Sequence, residues 1–197
     1  LKSLKKREII CGYAEILKHS LKKNKKLFNF LENNAHQIIK LKKPFVEKAI
    51  YESCLIKKKI LKKDEKEKNL RKILNFGHTF GHAYEATKNY SKKLNHGEAV
   101  LLGMANATKF SYKKNYINKQ DYERIIKHYN KLKLPLKISK FFSRKDLDKI
   151  ITFMQKDKKN NNNKINLILL KKIGKTLHNL TFSRNQIYEF LKKELIN

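Results

Sequence analysis

The sequence predicts a mainly α-helical domain, bundle-like, with one small β-hairpin near residues 165–180. Three observations carry that expectation. Apolar residues recur at three- and four-residue steps along almost the whole chain, the period of a helix with one buried face. Two short β-rich runs, Ile165–Leu170 and Thr176–Leu180, flank Gly174 and form the one convincing strand pair. With 40% hydrophobic residues in 197, the chain can bury a real core as a single domain.

Taken in order, Ile9, Tyr13, Ile16 and Leu17 predict a helix from about Lys5 to Leu21. Residues 25–40 read as one or two short helices, and Pro44 stands where a new one can begin. Val46, Ile50, Cys54 and Leu61 trace one face of a helix from Phe45 to about Lys62. Asp64 and Glu65 open a polar break, followed by a helix over part of Leu70 to Lys88. Val100 to Tyr112 is apolar on several sides, the mark of a buried central helix. A helix over 119–131 precedes Pro135, Ser143 caps another through Met154, and Ser183 caps the last, to about Ile196. No internal repeat or linker divides the chain. Four of its six glycines (Gly77, Gly81, Gly97, Gly103) fall close together in predicted helical sequence. Glycine there costs up to about 1 kcal/mol relative to Ala, so close approach of backbone to a helix or ligand is the expected reason.

The formal net charge of +31 invites a nucleic-acid reading. Against it, only five of the 48 basic residues are arginine, the side chain suited to bidentate contacts with bases and phosphates. Lysine is instead spread uniformly and accompanied by asparagine, including the run Asn160–Asn163. A basic nucleic-acid-binding module is therefore the rival from a different class, and a nucleic-acid partner is not expected. No apolar run approaches the roughly 20 residues of a membrane span, and no secretory signal opens the sequence. Two cysteines, Cys11 and Cys54, suit a reducing cytoplasm and offer no metal-type spacing.

Chemistry concentrates in Arg71–Glu85 and Leu94–Val100, which gather His, Arg, Asn, Glu and Gly. His78 and His82, four apart, project from one helix face. Two imidazoles so placed can reach one metal, or one can bind metal while the other handles a proton. His96 supplies a third imidazole, and Glu15 a carboxylate with Lys18 one turn on. A His2Glu set with open positions is an arrangement that catalytic zinc uses. Alone, Glu15 and Lys18 read equally well as a solvated i,i+3 pair. The residues by themselves reach a metal or acid–base site and do not choose a reaction.

Gly12-Tyr-Ala-Glu15-Ile-Leu-Lys18, then Lys57 and Asp64-Glu-Lys-Glu67, then Arg71-x-x-Leu-Asn75-x-Gly77-His78-Thr-x-Gly81-His82-Ala resemble successive signatures of the 3-dehydroquinate synthases. Asn95-His96-Gly97-Glu98-Ala99-Val100, Gly103-Met104, and Lys156-Asp-Lys158-Lys159 ahead of the hairpin resemble the next ones in order. The resemblance spans nearly the whole chain. It implies Glu15, His78 and His96 as ligands of zinc or cobalt, which removes His82 from the ligand set. His82 becomes a substrate-holding proton shuttle, with Glu67 the other proton acceptor. Lys18, Lys57, Arg71, Asn75 and Lys158 (or Lys159) would hold the substrate's carboxylate, hydroxyls and phosphate.

The implied reaction converts 3-deoxy-arabino-heptulosonate 7-phosphate into 3-dehydroquinate and phosphate, a lyase step of the shikimate pathway toward chorismate and the aromatic amino acids. Transient oxidation by NAD acidifies the neighbouring carbon, phosphate leaves, the hydride returns and an intramolecular aldol closes the ring. On this reading residues 1–197 are the C-terminal helical metal- and substrate-binding domain. The family's N-terminal glycine-rich NAD-binding domain is expected ahead of Lys5 and is absent from these residues, so no cofactor-binding residue is assigned and the piece alone is expected to be inactive. The full-length enzyme is expected to be a homodimer. The nearer rival is another sugar-phosphate cyclase, making a valiolone or an inosose; Asn75 and His82 together favour dehydroquinate. Glycerol-type dehydrogenases fit Arg71–His82 poorly.

Overall fold

The computed structural model describes residues 1, 3–63, 75–156 and 164–196. Its helices are α1 (Lys6–Lys23), α2 (Lys25–Ile39), α3 (Phe45–Lys63), α4 (His78–Thr87), α5 (His96–Lys113), α6 (Lys119–Lys131) and α7 (Leu147–Lys156). The strands β1 (Lys164–Lys172) and β2 (Lys175–Ser183) follow, then α8 (Arg184–Glu194). The mainly α expectation with one hairpin therefore holds. Among the described residues no helix is long and apolar enough to cross a membrane.

Helix α5 is the axis of the domain. From Ala99 to Thr108 every residue is buried, so the helix meets neighbours all round, as a helix apolar on every side must. Thr108 donates to the Met104 carbonyl, Asn106 donates to the Tyr84 hydroxyl while its Oδ1 has no hydrogen-bond partner among the described residues, and Ser111 donates to the Ala107 carbonyl while accepting from the Leu170 amide. Helix α5 begins at His96, one turn before the expected Val100. Asn95 Oδ1 accepts from the Glu98 amide at 2.9 Å and Glu98 Oε2 accepts from the Asn95 amide at 3.1 Å, a reciprocal capping box that starts the helix there. Residues 25–39 form one helix, because the Asn24 side chain caps it at the Leu27 amide and Leu27, Phe28, Leu31, Ala35 and Ile38 hold one buried face.

Three glycines let α4 and α5 meet backbone to backbone. Gly77 takes φ +80 ahead of α4, and a Cβ on it would strike Met104. A Cβ on Gly103 would overlap the Gly77 carbonyl, and one on Gly81 would press on Ala99 and Val100 at 3.1–3.3 Å. At the other end of α5, a Cβ on Gly97 would collide with Cys11 of α1. The clustered glycines thus mark a seam between helices.

The hairpin pairs antiparallel from Lys164↔Ser183 to Lys172↔Lys175, with two irregularities in register. Its turn is fastened to α1 by the Gly174 amide, which donates to the Leu21 carbonyl at 2.8 Å, and to α6 by the Ile173 amide, which donates to Asp121. Phe110, Phe182 and Phe190 meet at centroid distances of 4.9 Å and join β2 and α8 to the core.

Candidate metal centre

Three helices each bring one donor to a common point. Glu15 lies in the middle of α1, and His78 and His96 are the first residues of α4 and α5. Their ligand atoms all lie within 4.8 Å of one another. The joint between α1 and α5 sets this spacing. Arg7 donates to Glu98 Oε1 at 2.7 Å and to the Lys92 carbonyl at 2.7 Å, and Cys11 Sγ donates to Asn95 Oδ1 at 3.1 Å. With Gly97 pressed on Cys11, the helix bearing Glu15 is fixed against the cap of the helix bearing His96.

Both imidazoles are anchored through Nδ1. His78 Nδ1 stands 3.3 Å from the Phe76 carbonyl, and His96 Nδ1 stands 3.0 and 3.1 Å from the two Glu85 oxygens. An acceptor at Nδ1 holds the proton there and leaves the Nε2 lone pair for a ligand. Burial, reinforced by the Lys18 ammonium and His82, pushes His78 down to about 3, so it is a neutral imidazole near pH 7. The Glu85 carboxylate raises His96, against burial. For Glu15, burial pushes the carboxyl up, but the Lys18 charge and hydrogen bonds, with His78 and His19, leave it below its ordinary value. Lys18 Nζ donates to both Glu15 oxygens at 2.7 Å and is itself buried, which corrects the view of this pair as solvated. Two imidazoles, one of them held neutral by burial, and one carboxylate, drawn from separate helices with open space beside them, fit a divalent cation of the zinc or cobalt type.

The other expected residues divide. His82 is exposed one turn along α4, its ring 5.1 Å from His78 and 6.3 Å from His96. It shares with His96, Glu85, Tyr90, Phe153 and Lys156 the lining of a cleft of about 570 Å³. Lys57 is exposed on α3 and lines, with Glu15 and His19, a second cavity of about 310 Å³ whose far wall is apolar. Asn75 is half-buried in the turn entering α4. Glu67, Arg71 and Lys158, together with Lys159, lie outside the described residues.

Two participants escaped sequence reasoning. Glu85 stands two turns from His78 on α4, and that seven-residue spacing was the available signal. Lys22, one turn beyond Lys18, is wholly buried, and among the described residues its Nζ has no hydrogen-bond partner.

With this geometry in place, likeness to known proteins decides the family. Residues 12–160 match the family described as 3-dehydroquinate synthase C-terminal. The chain belongs to this family. It is 58% identical over 195 residues to the 3-dehydroquinate synthase of Pelagibacter ubique (strain HTCC1062), covering 99% of this chain and 53% of that protein. It is 44% identical over 177 residues to the 3-dehydroquinate synthase of Thermoanaerobacter sp. (strain X514), covering 89% and 48%. The chain thus spans about half the length of the curated relatives it matches. Among solved structures, a 2-epi-5-epi-valiolone synthase from Streptomyces hygroscopicus subsp. jinggangensis 5008, with NAD+ and Zn2+ bound, superposes with a TM-score of 0.84 at 22% identity. That match covers 98% of this chain and 52% of the other. A 2-deoxy-scyllo-inosose synthase complexed with carbaglucose-6-phosphate, NAD+ and Co2+ gives 0.76 at 23% identity, covering 98% and 53%. At these identities the structures share the fold of the 3-dehydroquinate synthase C-terminal domain described here.

Proposed function

We propose that this chain is the metal- and substrate-binding part of a 3-dehydroquinate synthase, the lyase that forms 3-dehydroquinate and phosphate from 3-deoxy-arabino-heptulosonate 7-phosphate. The observation that carries the reading is the convergence of Glu15, His78 and His96, whose donor atoms lie within 4.8 Å of one another in a chain of this family. Those three residues would hold zinc or cobalt, the metals bound in the two structural neighbours. A divalent ion there supplies Lewis-acid polarisation of a substrate hydroxyl. NAD, present in both neighbours, supplies reversible redox chemistry and would be held by the remainder of a full-length enzyme.

The chain's own residues bind and orient. Lys18 and Lys57 offer ammonium groups to substrate oxyanions beside Glu15, and we add Asn75, Arg71 and Lys158 on the family resemblance. His82, exposed beside the His78 and His96 rings, is the imidazole we assign to proton transfer, with Glu67 as its counterpart. Two free cysteines support assignment to a reducing cytoplasm. Because the relatives are about twice as long, the 197 residues alone are expected to take up metal without turnover.

Metal analysis of the purified chain tests the reading. Roughly one zinc or cobalt per chain is expected, and His78→Ala and Glu15→Ala should remove it. Wild-type metal content in those variants would overturn the assignment.

A further inference from the structure

Glu85 is nine-tenths buried, yet it faces a half-exposed histidine. Its side chain is 11% accessible, and that of His96 is 57%. Among the described residues its carboxylate is ion-paired with His96 alone, through both oxygens at 3.0 and 3.1 Å. As helix-to-helix adhesive this is a poor arrangement. A buried carboxylate loses hydration, and an ion pair with an exposed partner returns at most about 1 kcal/mol. The geometry makes sense when the beneficiary is His96 Nε2.

Resting on the metal-site reading above, we propose that Glu85 is the positioning residue of the centre. It fixes the His96 ring and its tautomer so that Nε2 faces Glu15 and His78, and it supplies the second negative charge near a divalent cation. Two consequences follow from the residues. His96 opens α5 with its side chain half-exposed beside the His78 and His82 rings, so the two-oxygen hold converts an adaptable imidazole into a preset donor. Glu15 and Glu85 together supply two negative charges to balance a divalent cation. A carboxylate behind a ligating imidazole also raises the basicity of the ring nitrogen that binds metal.

The test compares wild type, Glu85→Gln and Glu85→Ala by competition of the metal-free chain with a chromophoric chelator for Zn2+, and by the visible absorption of bound Co2+. Glu85→Ala is expected to weaken Zn2+ about 10- to 100-fold. Glu85→Gln, whose amide oxygen still accepts from Nδ1–H, should weaken it less and shift the Co2+ bands without erasing them. Metal-free unfolding midpoints should agree within about 3 °C, since a half-exposed pair contributes little to folding. Affinity of Glu85→Ala within about twofold of wild type, far below the usual second-shell loss, overturns the inference. So does a loss matched by an equal loss of metal-free stability. If Glu15→Ala and His78→Ala still abolish uptake in that event, the metal-site reading survives. If they have no effect, both fall.

Discussion

Replacing Lys22 with methionine should stabilise this protein at neutral pH. Lys22 is 0% exposed, its Nζ has no hydrogen-bond partner among the described residues, and burial, with Lys18 and against Glu15, pushes its pKa from 10.5 down to about 6. At pH 7 the folded chain therefore carries a neutral amine where the unfolded chain carries an ammonium. From pH 7 to 10.5 is about three and a half decades, and at roughly 1.4 kcal/mol per decade the deprotonation costs at most about 5 kcal/mol. Relaxation of the long side chain lowers that ceiling, and apolar replacement of buried charges usually gains about 1–4 kcal/mol. Methionine keeps the unbranched shape and carries no charge, so we expect about 2–4 kcal/mol. The sign with pH follows from the direction. A base whose folded pKa lies below its unfolded value binds more protons unfolded, so wild-type stability rises as pH climbs from about 6 toward 10.5. Urea unfolding monitored by circular dichroism at pH 7 and pH 9.5 should show the variant's advantage mostly gone at the higher pH. A destabilised variant at pH 7, or a difference that does not change between the two, would refute the reasoning.

Three other perturbations have defined outcomes. Gly103→Ala drives a methyl into the Gly77 carbonyl and should cost about 1–3 kcal/mol or more by denaturant titration, with loss of metal affinity in parallel. Arg7→Ala removes bonds to Glu98 and the Lys92 carbonyl at a largely exposed position, so stability should fall by less than about 1 kcal/mol. Zinc affinity, measured by chelator competition, should fall more, about tenfold, because the joint spacing Glu15 from His96 is loosened. Burial depresses His128 to about 4, below its ordinary 6.5, while Tyr13 holds its Nε2 at 2.6 Å. Its contribution is complete above pH 6.5 and is lost as pH falls toward 4, a slope of up to about 3 kcal/mol that His128→Leu should remove from the pH–stability profile.

Much of the fold was legible because it is written in local period. Helix α6 lies where its pattern placed it, at 119–131, and the hairpin lies where a glycine divides two β-rich runs. Its strands extend beyond the expected 165–170 and 176–180 because pairing continues to Lys172↔Lys175 at the turn and Lys164↔Ser183 at the open end. Apolar periodicity places the start of α5 at Val100, a turn late, because the Asn95–Glu98 cap that starts the helix is polar. The site was legible only through motif. Glu15 and Lys18 have a spacing indistinguishable from a surface pair, and only the packing of α1 against α5 shows that the lysine is buried. Glu85 and Lys22 were missed because their significance lies in what faces them from other elements, which no local pattern encodes.

The glycine seam reaches beyond packing. Since α4 meets α5, and α5 meets α1, in close approach at Gly77, Gly97 and Gly103, the separation of the helices that carry the three donors is set by packing at the glycines, and only the rings and the carboxylate are left to be set by rotamer. Such a cradle exists before any ion enters it. Unlike a zinc finger, whose order comes from its metal, this domain should keep its shape when stripped by a chelator and refill without refolding.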